Sequence, residues 1–274
     1  MKYILGLSGG VDSCYALHLA KDLDIVAVSF DNGWDTEIAK NNAKNICCQL
    51  GIKHKVYSCD LNEFREIQRA FLLSSTMHAE CPSDVAIKKT MLTAMKEFNA
   101  DCIISGDNKW EGSPPAEWSV VDGLYVKDVM KKHGRVKLKT FPNMTFLDHL
   151  KFRNKTYKIL DTIDYDPTKA KEELKRIYGW EDYKVKHHEN LYTKFNQGLR
   201  YWKFGIDMRT IEMKHDYDLT KPPYNYEEFV DLGADICSKL DLHLGAILHT
   251  KPRDWKTYRS YRRWILRLKS ILGK

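Results

Sequence analysis

Residues 3–13 read Tyr3-Ile4-Leu5-Gly6-Leu7-Ser8-Gly9-Gly10-Val11-Asp12-Ser13. The apolar run from Tyr3 to Leu7 predicts a short buried strand. Ser8, Gly9 and Gly10 follow at once. Asp12 and Ser13 then open a segment, Cys14 to Lys21, whose apolar residues are spaced as in a helix. Strand, glycine turn and helix start form the local architecture that binds phosphate. Glycines let the backbone approach the anion, and free N–H groups at the helix start point at it. The hydroxyls of Ser8 and Ser13 add donors. Asp12 is the odd member, because a carboxylate repels phosphate unless a cation lies between them. Mg²⁺ is therefore expected there, with Asp12 as its protein ligand.

The chain that follows alternates strand and helix. Ile25 to Phe30 reads as a second strand, ending in Phe30-Asp31-Asn32-Gly33-Trp34. Asp35 or Thr36 can cap the next helix, which Gly51 closes. His54 to Cys59 is a third strand, followed by helices over Leu61–Leu73 and Val85–Phe98. Asp101 to Ser105 is a fourth, ending in Ser105-Gly106-Asp107-Asn108. Such alternation predicts a parallel α/β sheet with right-handed crossovers. Ligands bind beyond the carboxyl ends of such strands, so the loops after strands one, two and four should line one crevice.

The pattern changes from Trp110 onward. Val120 to Lys132 reads as helical, Val136 to Pro142 as extended and Phe146 to Tyr157 as helical. Asp166 caps a helix that Pro167 opens and Gly179 stops. Residues 180–224 read as short pieces, Tyr226 to Leu240 as an amphipathic helix, and Pro252 to Leu272 as a last helix. In that last helix Trp264, Ile265, Leu268 and Leu272 share one face, which predicts a buried side and a charged outer side.

Bulk properties exclude several classes. The chain has 274 residues, 43% hydrophobic and 30% charged, which is ordinary globular composition. No apolar run approaches the ~20 residues that cross a bilayer. The first strand starts almost at Met1, so no signal peptide is expected. Seven cysteines are scattered without a Cys-x-x-Cys pair. They imply buried reduced thiols in a reducing cytoplasm and no structural zinc site. A net charge of +7 suits anionic ligands without demanding nucleic acid.

The loop matches neither the kinase-type nor the dinucleotide-type pattern. Ser-Gly-Gly-Val-Asp-Ser instead resembles the pyrophosphate loop of the PP-loop ATP pyrophosphatases. That resemblance implies a PP-loop fold of the adenine nucleotide α-hydrolase-like class over residues 1–150, with a mainly helical substrate-binding region over 151–274. Further blocks narrow the resemblance. They are Phe30 to Trp34, Phe71-Leu72, Glu80-Cys81-Pro82-Ser83-Asp84, Ile104 to Asn108, and Lys139-Thr140-Phe141-Pro142. Ile163-Asp164-Tyr165, Gly179 to Tyr183, Lys186-His187-His188-Glu189-Asn190, and Lys203 to Asp207 with Arg209 continue the series. Together they look like the N-acetyl sugar amidotransferases, which convert an acetamido group into an acetamidino group. The resemblance runs from residue 3 to about residue 210. This chain departs from the family pattern at Asp107 and Val85, where His is usual, and at Cys81, where an aliphatic residue is usual.

The resemblance implies an ATP-dependent amidotransferase that releases AMP and pyrophosphate. Ser8, Gly9, Gly10 and Ser13 would hold the pyrophosphate, and Asp12 would hold Mg²⁺. Asp12, Ser13, Lys203 and Arg209 form the implied catalytic set. Phe30, Asn32, Gly106 and Asp107 complete the ATP site, although Phe30 reads equally well as core. Trp34, Glu80, Asp84, Lys186, His187 and His188 are the implied substrate contacts. Lys186, Lys203 and Arg209 suit a nucleotide-sugar diphosphate, and Trp34, Trp110 or Trp180 suits stacking on a sugar or base. A glutaminase needs its own nucleophilic cysteine and its own domain. Ammonia is therefore expected from a separate glutaminase subunit or from solution.

Two other functions stay open. The tail from Lys251 to Lys274 interleaves Arg and Lys with Trp255, Tyr258, Tyr261 and Trp264, as a tRNA-modifying PP-loop enzyme would need. The chain could also be a non-catalytic ATP-binding scaffold that docks partners.

Overall fold

The computed structural model describes residues 1–109, 120–183, 188–211, 220, 222 and 225–271. Its centre is a parallel sheet of β1 (Lys2–Gly6), β2 (Asp24–Asp31), β3 (Lys53–Ser58), β4 (Cys102–Ser105) and β5 (Thr156–Lys158). The strand order is β3-β2-β1-β4-β5. Each of the four expected strands lies within one residue of its expected ends. Alternate side chains of a strand face opposite sides of the sheet, and here both sides are covered. Ile4, Val26, Val28 and Ile103 enter one core, while Leu5, Ala27 and Ile104 enter the core on the other face. The edge strand β3 shows why it stays an edge. Lys53 and Lys55 are exposed along it, which discourages further pairing.

On the second face lie α1 (Val11–Leu19), α2 (Glu37–Leu50) and α7 (Pro167–Tyr178). Thr36 caps α2 by accepting from Ala39 N at 3.2 Å, and Asp166 caps α7 by accepting from Thr168 N at 2.8 Å. The first face is covered by α3 (Leu61–Ser74), α4 (Cys81–Glu97) and α5 (Gly123–His133), with α6 (Phe146–Lys155) against α4. A third core joins α8 (Leu191–Phe204), α9 (Tyr226–Lys239) and α10 (Leu244–His249) to Trp34, Leu72 and Ala79. The last helix, α11 (Tyr261–Ile271), follows a short 3-10 turn at Trp255–Thr257.

Several expectations past residue 110 change. The helix expected to reach Tyr157 stops at Lys155, because the next residues pair with β4, Tyr157 opposite Ile104. A ladder partner outweighs the local preference to continue the helix. Strand β5 joins the sheet and α7 packs on its second face. Val136 to Pro142 forms no strand. The backbone N–H groups of Lys139, Thr140 and Phe141 donate instead to the Glu63 carboxylate, at 2.9, 3.0 and 2.9 Å. Burial pushes the Glu63 carboxyl up, but these donors outweigh it and hold it below its ordinary range.

Within 180–224, expected as short pieces, α8 is a full helix of 14 residues. Asn190 caps it and Gly205 ends it at φ 68°, but its buried face mixes Tyr192, Asn196 and Gln197 with Phe195 and Leu199, which blurs the apolar period. The helix expected over Pro252–Leu272 is broken, because Trp255 and Tyr258 turn into the first core. Trp264 and Ile265, expected on a buried face, are 46% and 40% exposed. Helix α11 docks through its first turn, where Arg262 N donates to Asp122 Oδ2 at 3.1 Å. No helix among the described residues is long and apolar enough to cross a membrane.

Candidate functional site

The strand order turns back between β1 and β4, so the loops after these two strands diverge and open a crevice at their carboxyl ends. The stretch Ser8 to Ser13 forms one lip. Gly9 has φ 83°, and a Cβ there would lie 2.0 Å from the Ala39 carbonyl oxygen, so no other residue fits. Gly10 is the N-cap of α1 and offers no side chain to it. Other groups take over the capping. Gly10 N donates to Ser8 Oγ at 3.2 Å, and Val11 N donates to the Tyr183 hydroxyl at 3.3 Å. Ser8 N donates to Ser13 Oγ at 3.1 Å, and the two hydroxyls lie 3.0 Å apart. Ser8 and Ser13 thus face one point at the positive end of α1, as an anion site requires.

The opposite lip is the loop after β4. A Cβ on Gly106 would come within 3.0 Å of Ser13 N and Cα, so the glycine lets the two loops touch. The close approach allowed at Gly106 is therefore to the start of α1. Asp107 is exposed beside it, with its N–H on Ser105 Oγ at 3.1 Å.

Residues far along the chain brace the loop from behind. Tyr165, 1% exposed, donates its hydroxyl to Asp12 Oδ1. Burial first, and then the charge of Asp12, push the Tyr165 phenol far up, so it stays a donor. Trp180 Nε1 donates to the Gly9 carbonyl at 3.0 Å. Asn42 Nδ2 reaches the same carbonyl at 3.4 Å and ties it to Glu181. Trp180 is thus a support of the loop and not a stacking platform.

The loop after β2 is held by Glu189, Asn190 and Leu191. Thr36 N donates to Glu189 O at 2.8 Å, Leu191 N donates to Trp34 O at 2.9 Å, and Asp35 pairs with Asn190 as an antiparallel bridge. Asn190 Nδ2 donates to Asn32 Oδ1 at 3.0 Å and to Asp35 Oδ1 at 2.7 Å. Burial raises the Asp35 carboxyl to about 6; the Asn190 bond opposes this, while Asp31 and Glu189 add to it. Glu189 Oε1 lies 3.1 Å from the point a Gly10 Cβ would occupy, and its Oε2 is buried with no hydrogen-bond partner among the described residues. Glu189 was expected only as a neighbour of the two histidines. It is a second carboxylate at the loop, which the sequence places far away.

The other expected site residues separate into two groups. Ser8, Gly9, Gly10, Asp12, Ser13, Gly106 and Asp107 meet at the crevice. Phe30 and Trp34 are 7% and 4% exposed. Phe30 packs on Phe64, and Trp34 Nε1 donates to Gln68 Oε1 at 2.8 Å. Asn32 is buried and orders its own loop by accepting from Trp34 N at 3.0 Å. Glu80 pairs with Arg200 at 3.4 Å, and Asp84 is partly buried in the first turn of α4. Lys203 donates Nζ to the Ile247 carbonyl, between α8 and α10, and burial lowers its ammonium to about 8. Arg209 clasps Asp207 two residues away, with Nη2 2.6 Å from Oδ2. Lys186, His187 and Trp110 lie outside the described residues; His188 directly precedes the residues that hold the β2 loop.

The crevice fits a nucleotide and its ion on chemical grounds. A Cβ at Gly10 would crowd Ser8 Oγ, the Tyr183 hydroxyl and Glu189 Oε1, each at 3.1 Å, so glycine lets these three polar groups gather at the start of α1. No group of three metal-ligating side chains occurs among the described residues. A cation at Asp12 would take its remaining ligands from phosphate oxygens and water, which is how Mg²⁺ sits in nucleotide sites.

Comparison with known proteins matches this part of the chain. The family model described as "Queuosine biosynthesis protein QueC" matches residues 2–95, which contain the loop. No curated protein matches the chain in sequence. Among solved structures, the NH3-dependent NAD synthetase of Campylobacter jejuni overlaps with a TM-score of 0.37 and 14% identity, over 82% of this chain and 88% of that one. The NMN synthetase of Francisella tularensis gives 0.33 and 15%, over 81% and 90%. The glutamine-dependent NAD+ synthetase of Acinetobacter baumannii, in complex with ADP, gives 0.34 and 13%, over 95% of this chain and 45% of that one. At such TM-scores the overlap says nothing of substrate. The parallel sheet with helices on both faces makes this an α/β chain, and over residues 2–95, which hold the glycine loop, it is similar to the family described as queuosine biosynthesis protein QueC.

Proposed function

We propose that the chain is an ATP-dependent amidotransferase that turns the acetamido group of an N-acetyl sugar, free or nucleotide-linked, into an acetamidino group. The observation that carries the ATP half is the Ser8–Ser13 loop at the sheet's turning point, with Asp12 beside the start of α1. The acceptor half is supported by the sequence blocks between Phe30 and Arg209.

An amide is a poor electrophile, so its oxygen must first become a leaving group. The acetamido oxygen attacks the α-phosphorus of ATP, and the bond to the β-phosphate oxygen breaks to release pyrophosphate. Ammonia then adds to the activated carbon and AMP departs with the former amide oxygen. The products are an amidine, AMP and pyrophosphate. Ser8, Ser13 and the α1 backbone hold the departing pyrophosphate. Asp12 would hold Mg²⁺, which when bound would supply positive charge beside the phosphate oxygens. Asp107 at the mouth contacts the nucleotide. The acceptor is chosen by the region after residue 150 together with Asp84, with Glu80 holding Arg200 behind it, in a reducing cytoplasm, with ammonia supplied by a separate glutaminase subunit or taken from solution.

The test supplies ATP, Mg²⁺, ammonium and a panel of acetamido sugars. Acceptor-dependent AMP and pyrophosphate, with the mass change from amide to amidine, is the expected result; ADP as product defeats the reading. Asp12→Asn is expected to lower turnover by about 100-fold or more.

A second reading, a tRNA-modifying enzyme, is favoured by the exposed Trp264 and Arg267 of α11 and by the match over residues 2–95. Tight RNA binding that weakens steeply with salt would support it.

A further inference from the structure

The loop is short and local, yet its one acidic side chain is held from 153 residues away. We infer that Tyr165 is a positioning residue for the nucleotide's cation: its hydroxyl aims the Asp12 carboxylate. The inference rests on the reading of Asp12 as the Mg²⁺ ligand.

Three features set Tyr165 apart from a side chain that is merely buried nearby. Its hydroxyl donates to Asp12 Oδ1, so it touches the carboxylate and not the backbone. Its ring is fixed in the second core and lies 5.8 Å from the Tyr15 ring, so the hydroxyl has little freedom to leave. The residue lies shortly after the 3-10 turn Ile159–Thr162, which follows β5 on the crevice side of the sheet. An aspartate at the second position of a helix can exchange between its allowed χ1 rotamers and turn broadly about χ2 unless a partner holds it. A neutral donor on one carboxylate oxygen removes that freedom without cancelling the charge that a cation needs. Partners of this kind around metal ligands are generally worth about 10- to 100-fold in metal affinity.

Tyr183 provides the contrast within the same site. Its hydroxyl accepts from Val11 N, at the backbone of the loop, and so bears directly on the anion seat and on Asp12 only through space. The two tyrosines should therefore separate in their dependence on Mg²⁺.

The test is calorimetric titration of ATP into the full chain, with Mg²⁺ and with EDTA. The wild type is expected to bind more tightly with Mg²⁺. Tyr165→Phe keeps the ring and is expected to reduce that gain by about 10-fold, with affinity in EDTA changed less than about twofold. Tyr183→Phe is expected to alter both affinities alike. In an Asp12→Asn background Tyr165→Phe should have no further effect. An unchanged Mg²⁺ gain in Tyr165→Phe, an equal loss in both conditions, or a full effect without Asp12 would overturn the inference alone. A wild type that binds ATP no better with Mg²⁺ would overturn the reading of Asp12 itself, and this inference with it.

Discussion

The loop at Ser8–Ser13 and the helical region of α8, α9 and α10 use polar side chains in opposite ways. At the loop, side chains from distant segments come to the backbone of a few residues and to the Asp12 carboxylate. Trp180 and Asn42 take the Gly9 carbonyl, Tyr183 takes Val11 N, and Tyr165 takes Asp12. In the helical region the polar groups turn inward and satisfy each other. Lys203 reaches the Ile247 carbonyl, Glu80 pairs with Arg200, and the Trp34 indole donates to Gln68. A glycine loop binds through its backbone, so its residues declare their purpose in the sequence. A long polar side chain binds wherever a partner lies, and most buried ones find theirs within the protein.

The largest expected effect breaks the loop side of this contrast. Gly9→Ala puts a Cβ 2.0 Å from the Ala39 carbonyl at a φ of 83°, so either α2 or the loop must move. A loss of about 3 kcal/mol or more in urea unfolding is expected; wild-type stability would show that the loop relaxes freely.

Lys203→Met tests the other side. It removes a donor from between α8 and α10 while keeping most of the stem. A loss of about 1–2 kcal/mol in stability is expected, with turnover within about twofold of wild type. A collapse in turnover at unchanged stability would return Lys203 to the catalytic set and erase the contrast.

A smaller effect sharpens the border between the two regions, where the β2 loop meets the segment from His188. Asp35 carries a carboxyl raised to about 6, so the folded chain binds its proton more tightly than the unfolded chain does. Its contribution to stability therefore falls as pH rises from about 4 to about 6 and is level above that. Asp35→Asn retains an oxygen for the Asn190 amide and removes the charge. It is expected to stabilise by on the order of 1 kcal/mol above pH 6 and by little near pH 4. Unfolding curves at both pH values check this; the same gain at both would refute the assignment.

Much of the first 109 residues was legible. Apolar runs marked β1, β2 and β4, and Thr36, one of the two residues expected to cap α2, does so by accepting from Ala39 N; later in the chain Asp166 caps α7 as expected. Strand β5 was not legible, because three residues hold no period and only β4 makes them a strand. Helix α8 was hidden by Asn196 and Gln197 on its buried face. Among site residues, the loop glycines and Asp12 were readable. Glu189, Tyr165 and Tyr183 were visible as members of sequence blocks, but their contacts with the loop were not. Nothing local distinguishes a tyrosine that supports a loop from one that fills a core.

The sequence by itself determined the glycine turn, the helix that starts from it and the parallel alternation, because these follow from backbone sterics and short-range periodicity. Only the tertiary structure decided which side chains face the crevice. That choice depends on which distant groups come within hydrogen-bond reach, and on whether burial leaves a polar group to the crevice or pairs it inside.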